Sequence, residues 1–130
     1  MAPLTVQAAT NANALIKDET GMISDSELQR LNEYALKISN DYRIQVSYLI
    51  PINTAGQTMR ACAEERFPES GRLWSDGFVL VHDVDGKRWD VVCFGVAERF
   101  ITDEEIDLFW TAYDLKGTNY DGVWSYLEVA

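Results

Sequence analysis

The alternation of apolar and polar positions sorts most of the chain into helices and strands. Leu28, Leu31, Ala35 and Ile38 recur at three- and four-residue spacing with Tyr34 beside them, which is the stripe of an amphipathic helix over about Asp25 to Asp41. Ser24 and Glu27 stand in the order of a capping box, where each satisfies a free donor of the first turn. Ile44, Val46, Tyr48 and Ile50 alternate with Gln45 and Ser47, and Pro51 follows, so Ile44 to Ile50 reads as a strand. Thr54 and Gln57 repeat the box pattern and predict a shorter helix to about Phe67, stopped by Pro68. Gly77 to Val84 and Lys87 to Phe94 are two apolar runs joined by Asp85-Gly86, the pair favoured in a type I′ hairpin turn. Thr102 and Glu105 make a third box, with Ile106, Phe109, Trp110 and Tyr113 as the helical face beyond it. Lys116 to Thr118 breaks that pattern, and Tyr120 to Leu127 predicts a last short helix.

Strands that alternate with helices imply an α/β fold, a mixed sheet with a central β-hairpin flanked by helices. The near-continuous apolar character of the hairpin strands predicts a sheet buried on both faces. The chain of 130 residues fits one domain, and neither a repeat nor a linker divides it. Residues 1–14, rich in Ala, Asn and Thr, read as a flexible lead-in, and residues 15–130 as the domain.

Composition narrows the partners. Hydrophobic residues make up 47% of the chain, enough for a real core. Twenty-one acids against eleven bases give a net charge of -10. That balance repels a phosphate backbone and an anionic bilayer surface, so the expectation is no nucleic acid and no membrane insertion by this chain. Divalent cations are the natural counterparts of such a surface. No apolar run approaches the ~20 residues that span a bilayer. The first ten residues lack basic charge, so any export or anchoring machinery is expected outside this chain. Cys62 and Cys93 form neither a disulfide framework nor a zinc spacing.

Three patterns invite chemistry. Asp83-x-Asp85-Gly86 after an apolar strand has the order of an aspartate nucleophile in haloacid-dehalogenase-type phosphatases. Lys87 replaces the usual Thr and no crossover helix follows, so a plain hairpin turn is the better reading. Cys93-x5-Arg99 has the spacing of a cysteine-phosphatase loop. Glu98 puts a negative charge inside that anion cradle and the helix signal comes only at Thr102, so a buried strand cysteine is expected. The third pattern follows from the hairpin register. Pairing Val84 with Lys87 sets Gly77 opposite Phe94, His82 opposite Trp89, and Asp76 opposite Gly95. Glu98 and Asp103 come next, so Asp76, Glu98 and Asp103 would share one end of the sheet, where carboxylate and carbonyl oxygens suit calcium or another divalent cation. Gly95 would let the backbone approach closely. His82, the single histidine, has no serine beside it for a triad and reads as a core or rim side chain.

The run Ile16-Lys17-Asp18-Glu19-Thr20-Gly21-Met22-Ile23-Ser24 with Leu31 resembles the opening of the TPM domain, the thylakoid acid phosphatase-like family. The same holds for Asp76-Gly77-Phe78-Val79-Leu80-Val81, for Gly95 to Glu98, for Phe100-Ile101-Thr102-Asp103 and for Asn119-Tyr120-Asp121-Gly122. The likeness runs in order over about residues 15 to 128. It departs from the family where Phe67 to Trp74 replaces a Trp-x-x-Gly segment and where Ala97 stands for a second glycine. The resemblance implies a Rossmann-like α/β/α sandwich, divalent-ion binding in an acidic cleft at Asp76, Glu98 and Asp103, and an acid phosphatase activity in some members. It also implies display in the cell envelope, on the extracytoplasmic side of a membrane. Two functions follow as expectations: a non-catalytic interaction module with a cation-binding cleft and a protein partner at a membrane surface, or metal-assisted hydrolysis of phosphomonoesters. For the second, Arg72 and Arg99 would be the cations near the cleft.

Overall fold

A computed structural model of the chain describes residues 14–68, 74–116 and 120–129. The lead-in up to residue 13, the Lys116 to Thr118 break beyond Lys116, and Arg72 lie outside the described residues.

Four strands form one mixed sheet in the order β1 (Ile16–Asp18), β2 (Gln45–Ile50), β3 (Gly77–Asp83), β4 (Arg88–Phe94). The first three are parallel, and β4 runs antiparallel to β3. The helices are α1 (Asp25–Tyr42), α2 (Met59–Arg66), α3 (Ala97–Phe100), α4 (Asp103–Lys116) and α5 (Tyr120–Val129).

The two-residue period of the strands divides the core. Val46, Tyr48, Ile50, Phe78, Leu80, Val91 and Cys93 point to one face, where α1, α4 and α5 supply Leu31, Ala35, Phe109, Tyr113, Val123 and Tyr126. Leu49, Val79, Val81, Val92 and Phe94 point to the other, against Met59, Cys62 and Ala63 of α2. The result is the expected layered α/β/α sandwich with a sheet buried on both sides. The two polar residues of β2 are absorbed locally: Gln45 Nε2 donates to Ser47 Oγ at 3.2 Å, and the Ser47 carbonyl accepts from Tyr126 at 2.8 Å.

The hairpin register is the one the sequence predicts, with Gly77 opposite Phe94 and His82 opposite Trp89. Its turn differs from the expected type I′. The ladder ends at Asp83–Arg88, the Lys87 N–H donates to the Val84 carbonyl, and the positive φ falls on Lys87 at 54° rather than on Asp85 or Gly86. The cause is Asp83, whose Oδ1 accepts from the Gly86 N–H at 3.0 Å and draws the turn back toward the strand end. One of the three capping boxes closes in both directions: Thr102 Oγ1 accepts from Glu105 N while Glu105 Oε1 accepts from Thr102 N. The Ser24 box closes in one, because Ser24 Oγ accepts from Glu27 N but Glu27 Oε1 accepts from the Ser24 hydroxyl rather than from its N–H. The Thr54–Gln57 pattern does not start a helix. Thr54 is diverted to Asp83, and α2 begins after Thr58, whose hydroxyl accepts from Ala61 N at 3.0 Å.

Two elements go beyond the expected order. Strand β1 is only three residues long and is held by a tertiary bond: Asn32 Oδ1, on α1, accepts from the N–H groups of both Leu15 and Ile16 at 2.9 Å. The single helical turn α3 lies within what reads as a glycine turn.

Candidate functional site

The carboxylate cluster expected from the register starts at the amino end of β3. Gln45 donates its N–H to the Asp76 carbonyl at 2.9 Å, tying this residue to β2. The pairing of Gly77 with Phe94 brings Asp76 against the turn that leaves β4. Gly95 sits there at φ 62°, and a Cβ in its place would collide with Asp76 Oδ1. Only glycine meets both demands. The close approach lets Asp76 Oδ1 accept from the Val96 N–H at 2.9 Å.

Glu98, on α3, reaches across to α2 and pairs with Arg60 at 3.2 Å. Arg60 also donates to the Cys93 carbonyl at 3.2 Å, so it joins α2 to both β4 and α3. Asp103 is the first residue of α4, directly after its Thr102 cap. Asp76 is thus held by the Gly95–Val96 turn, Glu98 by Arg60, and Asp103 by its place at a helix start. Among the described residues, no three His, Cys, Asp or Glu side chains stand close enough to hold a metal ion. Arg60 was not singled out in the sequence. It carries no spacing signal, and its role exists only once α2 packs on β4.

The phosphatase-like motifs resolve into structure. Asp83 is buried, 1% exposed, and its carboxylate accepts from Thr54 Oγ1 at 2.7 Å, Arg88 Nη2 at 2.9 Å and the Gly86 N–H. Burial alone would raise its pKa. The hydrogen bonds from Thr54, Gly86 and Arg88 outweigh that and hold it below the ordinary Asp value. Arg88 is anchored in turn on the Gln57 carbonyl at 2.8 Å. A carboxylate so committed fixes a hairpin and is not free to attack phosphorus. Cys93 is buried too, and burial pushes its thiol up despite the Arg60 cation nearby. Cys62 behaves in the same way, and the two thiols are free. A protonated thiol is the wrong form for a nucleophile.

Ligands of open α/β sheets commonly sit at the carboxyl ends of the parallel strands. Here that end carries a paired network. Arg66 makes two bonds to Glu19, at 2.9 and 3.1 Å, and a third to the Ile52 carbonyl at 3.1 Å. Lys17 donates to the Arg66 carbonyl at 2.6 Å and lies over the Phe67 ring. Burial lowers the Lys17 pKa, and Glu19 partly offsets it.

His82 is half-buried. Its Nδ1 lies 2.8 Å from the Tyr113 hydroxyl, which lies 2.7 Å from the Tyr48 hydroxyl in the core. Trp110 meets the imidazole edge-on and stacks on Trp89 at 4.5 Å. Desolvation lowers the His82 pKa, with Asp114 and Asp83 pulling the other way.

No protein-family model matches the chain, and no curated protein matches it. Solved structures do. The N-terminal domain of the cg2496 protein from Corynebacterium glutamicum is similar with a TM-score of 0.62 and 15% identity, covering 89% of this chain and 74% of that one. The N-terminal domain of a protein from P. gingivalis is similar with a TM-score of 0.53 and 20% identity, covering 95% of this chain and 85% of that one. At these identities the likeness shows a shared layered α/β fold.

Proposed function

We propose that this domain works by binding rather than by catalysis: a TPM-like interaction module displayed on the extracytoplasmic side of a membrane, with Asp76, Glu98 and Asp103 taking up calcium or another divalent cation. The observation that carries the binding reading is the commitment of the reactive groups. Asp83 spends its carboxylate on three hydrogen bonds, and Cys93 is a buried thiol whose pKa is raised. The displayed location rests on the family resemblance.

The cation reading is supported by the Gly95 turn. Asp76 Oδ1 is spent on Val96, and Oδ2 makes no hydrogen bond among the described residues. Gly95 and Val96 are exposed, so an ion could approach Asp76 from solvent. Calcium takes six to eight oxygens, and the three carboxylates do not stand together here, so binding would require Glu98 to leave Arg60 and the Asp103 end of its helix to draw toward Asp76, with water completing the shell. Losing a surface ion pair of this kind costs under about 1 kcal/mol. The expected affinity is weak, of order millimolar, as in extracellular calcium modules. Phosphomonoester hydrolysis would further need a cationic clamp, and Arg60 is occupied by Glu98 and the Cys93 carbonyl.

A calcium or magnesium titration followed by backbone NMR tests the reading. Saturable shifts at Gly95, Val96 and Asp103 are expected at millimolar ion, and Asp76→Asn, which keeps an acceptor for Val96, should abolish them. Shifts absent at that turn, or spread evenly over the acidic surface, would remove the cation site.

A further inference from the structure

Two buried tyrosines tie the half-buried His82 to the core. Tyr48 of β2 and Tyr113 of α4 are both 0% exposed, with their hydroxyl oxygens 2.7 Å apart. The Tyr113 hydroxyl also lies 2.8 Å from His82 Nδ1. Each contact takes one proton, so the chain has a direction. Tyr113 is the hydrogen-bond partner of the Tyr48 hydroxyl among the described residues, so a satisfied Tyr48 proton goes to Tyr113. The Tyr113 proton in turn goes to His82 Nδ1. That makes Nδ1 an acceptor and puts the ring hydrogen on Nε2. Neutral His82 thus closes both contacts.

Protonation undoes this order. An imidazolium donates from both ring nitrogens. The chain then has to turn round: His82 Nδ1–H donates to Tyr113, Tyr113 donates to Tyr48, and the Tyr48 proton is left among the apolar side chains of the core. A buried donor stripped of its acceptor bears its full desolvation penalty. The surroundings of the ring do little to offset it. Asp114 on α4 and Asp83 on β3 both favour the cation, but Asp83 is spent on Thr54, Gly86 and Arg88. Trp110 of α4 and Trp89, opposite on β4, bring rings rather than charge.

The chain also sits where it matters for α4. Phe109 stacks on Phe78 at 5.1 Å in the middle of the helix. Beyond it, Trp110 and Tyr113 both meet the His82 ring, at 5.0 and 5.4 Å. We propose that His82, Tyr113 and Tyr48 form a pH-sensitive latch, a one-way hydrogen-bond chain that fastens the carboxyl-terminal half of α4 to the sheet while His82 is neutral and loosens it when His82 takes up a proton. Asp76, Glu98 and Asp103 take no part in it, so the latch goes beyond the cation reading and can stand or fall without it.

The test is NMR on the domain in calcium-free buffer. At neutral pH the ring nitrogens of His82 should show the Nε2–H form, with Nδ1 unprotonated. Tyr113→Phe removes the donor to Nδ1 and should raise the His82 pKa. That variant alone strands the Tyr48 hydroxyl, so the double variant Tyr48→Phe, Tyr113→Phe is measured beside it. It removes both hydroxyls at nearly constant shape and should give the same upward shift. In the wild type, hydrogen-exchange protection factors should fall at the Trp110 to Lys116 amides between about pH 7.5 and 5.5, while those of β2 and β3 hold. In the double variant this local fall should shrink. An Nδ1–H ring at neutral pH, a lowered His82 pKa in either variant, or protection lost equally over all the helices would overturn the proposal.

Discussion

Single residues in this domain differ sharply in what they hold together. Asp83 is buried and satisfied by three donors, so removing it strands Arg88 and Thr54 at the end of the hairpin. Asp83→Ala should cost roughly 2–4 kcal/mol in a denaturant melt. Glu98 and Arg60 are about half exposed, at 54% and 47%, and their pair is screened by water. Glu98→Ala should therefore stay within about 0.5 kcal/mol of the wild type. An Asp83→Ala variant as stable as Glu98→Ala would contradict this ranking. The sequence does not separate these two carboxylates by type or by motif, since burial is a tertiary property. Its D-x-D-G pattern nevertheless marks the right place for a turn. What it misses is that Asp83 captures the Gly86 N–H and moves the positive φ to Lys87.

At the scale of elements, the hairpin register was legible because two apolar runs and one Asp-Gly pair leave a single alignment that keeps both faces filled. That alignment also placed Asp76 beside Gly95, so this part of the site was legible by arithmetic. Strand β1 was not legible, because three residues carry no period and its donors are met by Asn32 from α1. The pairing of Glu98 with Arg60 was not legible either, because it depends on where α2 lies across β4. The His82–Tyr113–Tyr48 chain links β3, α4 and β2 and has its own pH consequence. Burial lowers the His82 pKa in the folded protein below the 6.5 of an exposed histidine. The unfolded chain therefore binds the proton first as pH falls through that value, and stability drops on the acid side. Asp83, also lowered, adds a second loss at lower pH, below its ordinary 3.8. Denaturation midpoints should fall between pH 7.5 and 5.5, and His82→Gln should flatten that fall. A midpoint that rises on acidification would reverse the sign of this account.

At the scale of the whole molecule, the structure joins an ordinary layered fold to an acidic surface, with Asp83 and Cys93 of the two phosphatase-like motifs buried beneath it. The fold tolerates low sequence identity, as its 15% and 20% identical structural neighbours illustrate. Function cannot be carried across at that distance, and it has to be argued from the sites themselves. The carboxyl ends of the parallel strands are closed by Arg66 and Glu19, while the Gly95 turn is exposed. We propose that a domain arranged in this way binds partners without transforming them. Hydrolysis of a chromogenic phosphate ester, measured with calcium and with magnesium for the wild type, Asp76→Asn and Cys93→Ser, tests that claim most directly. The account predicts chromophore release equal to buffer for all three proteins. Release by the wild type that either substitution abolishes would contradict it.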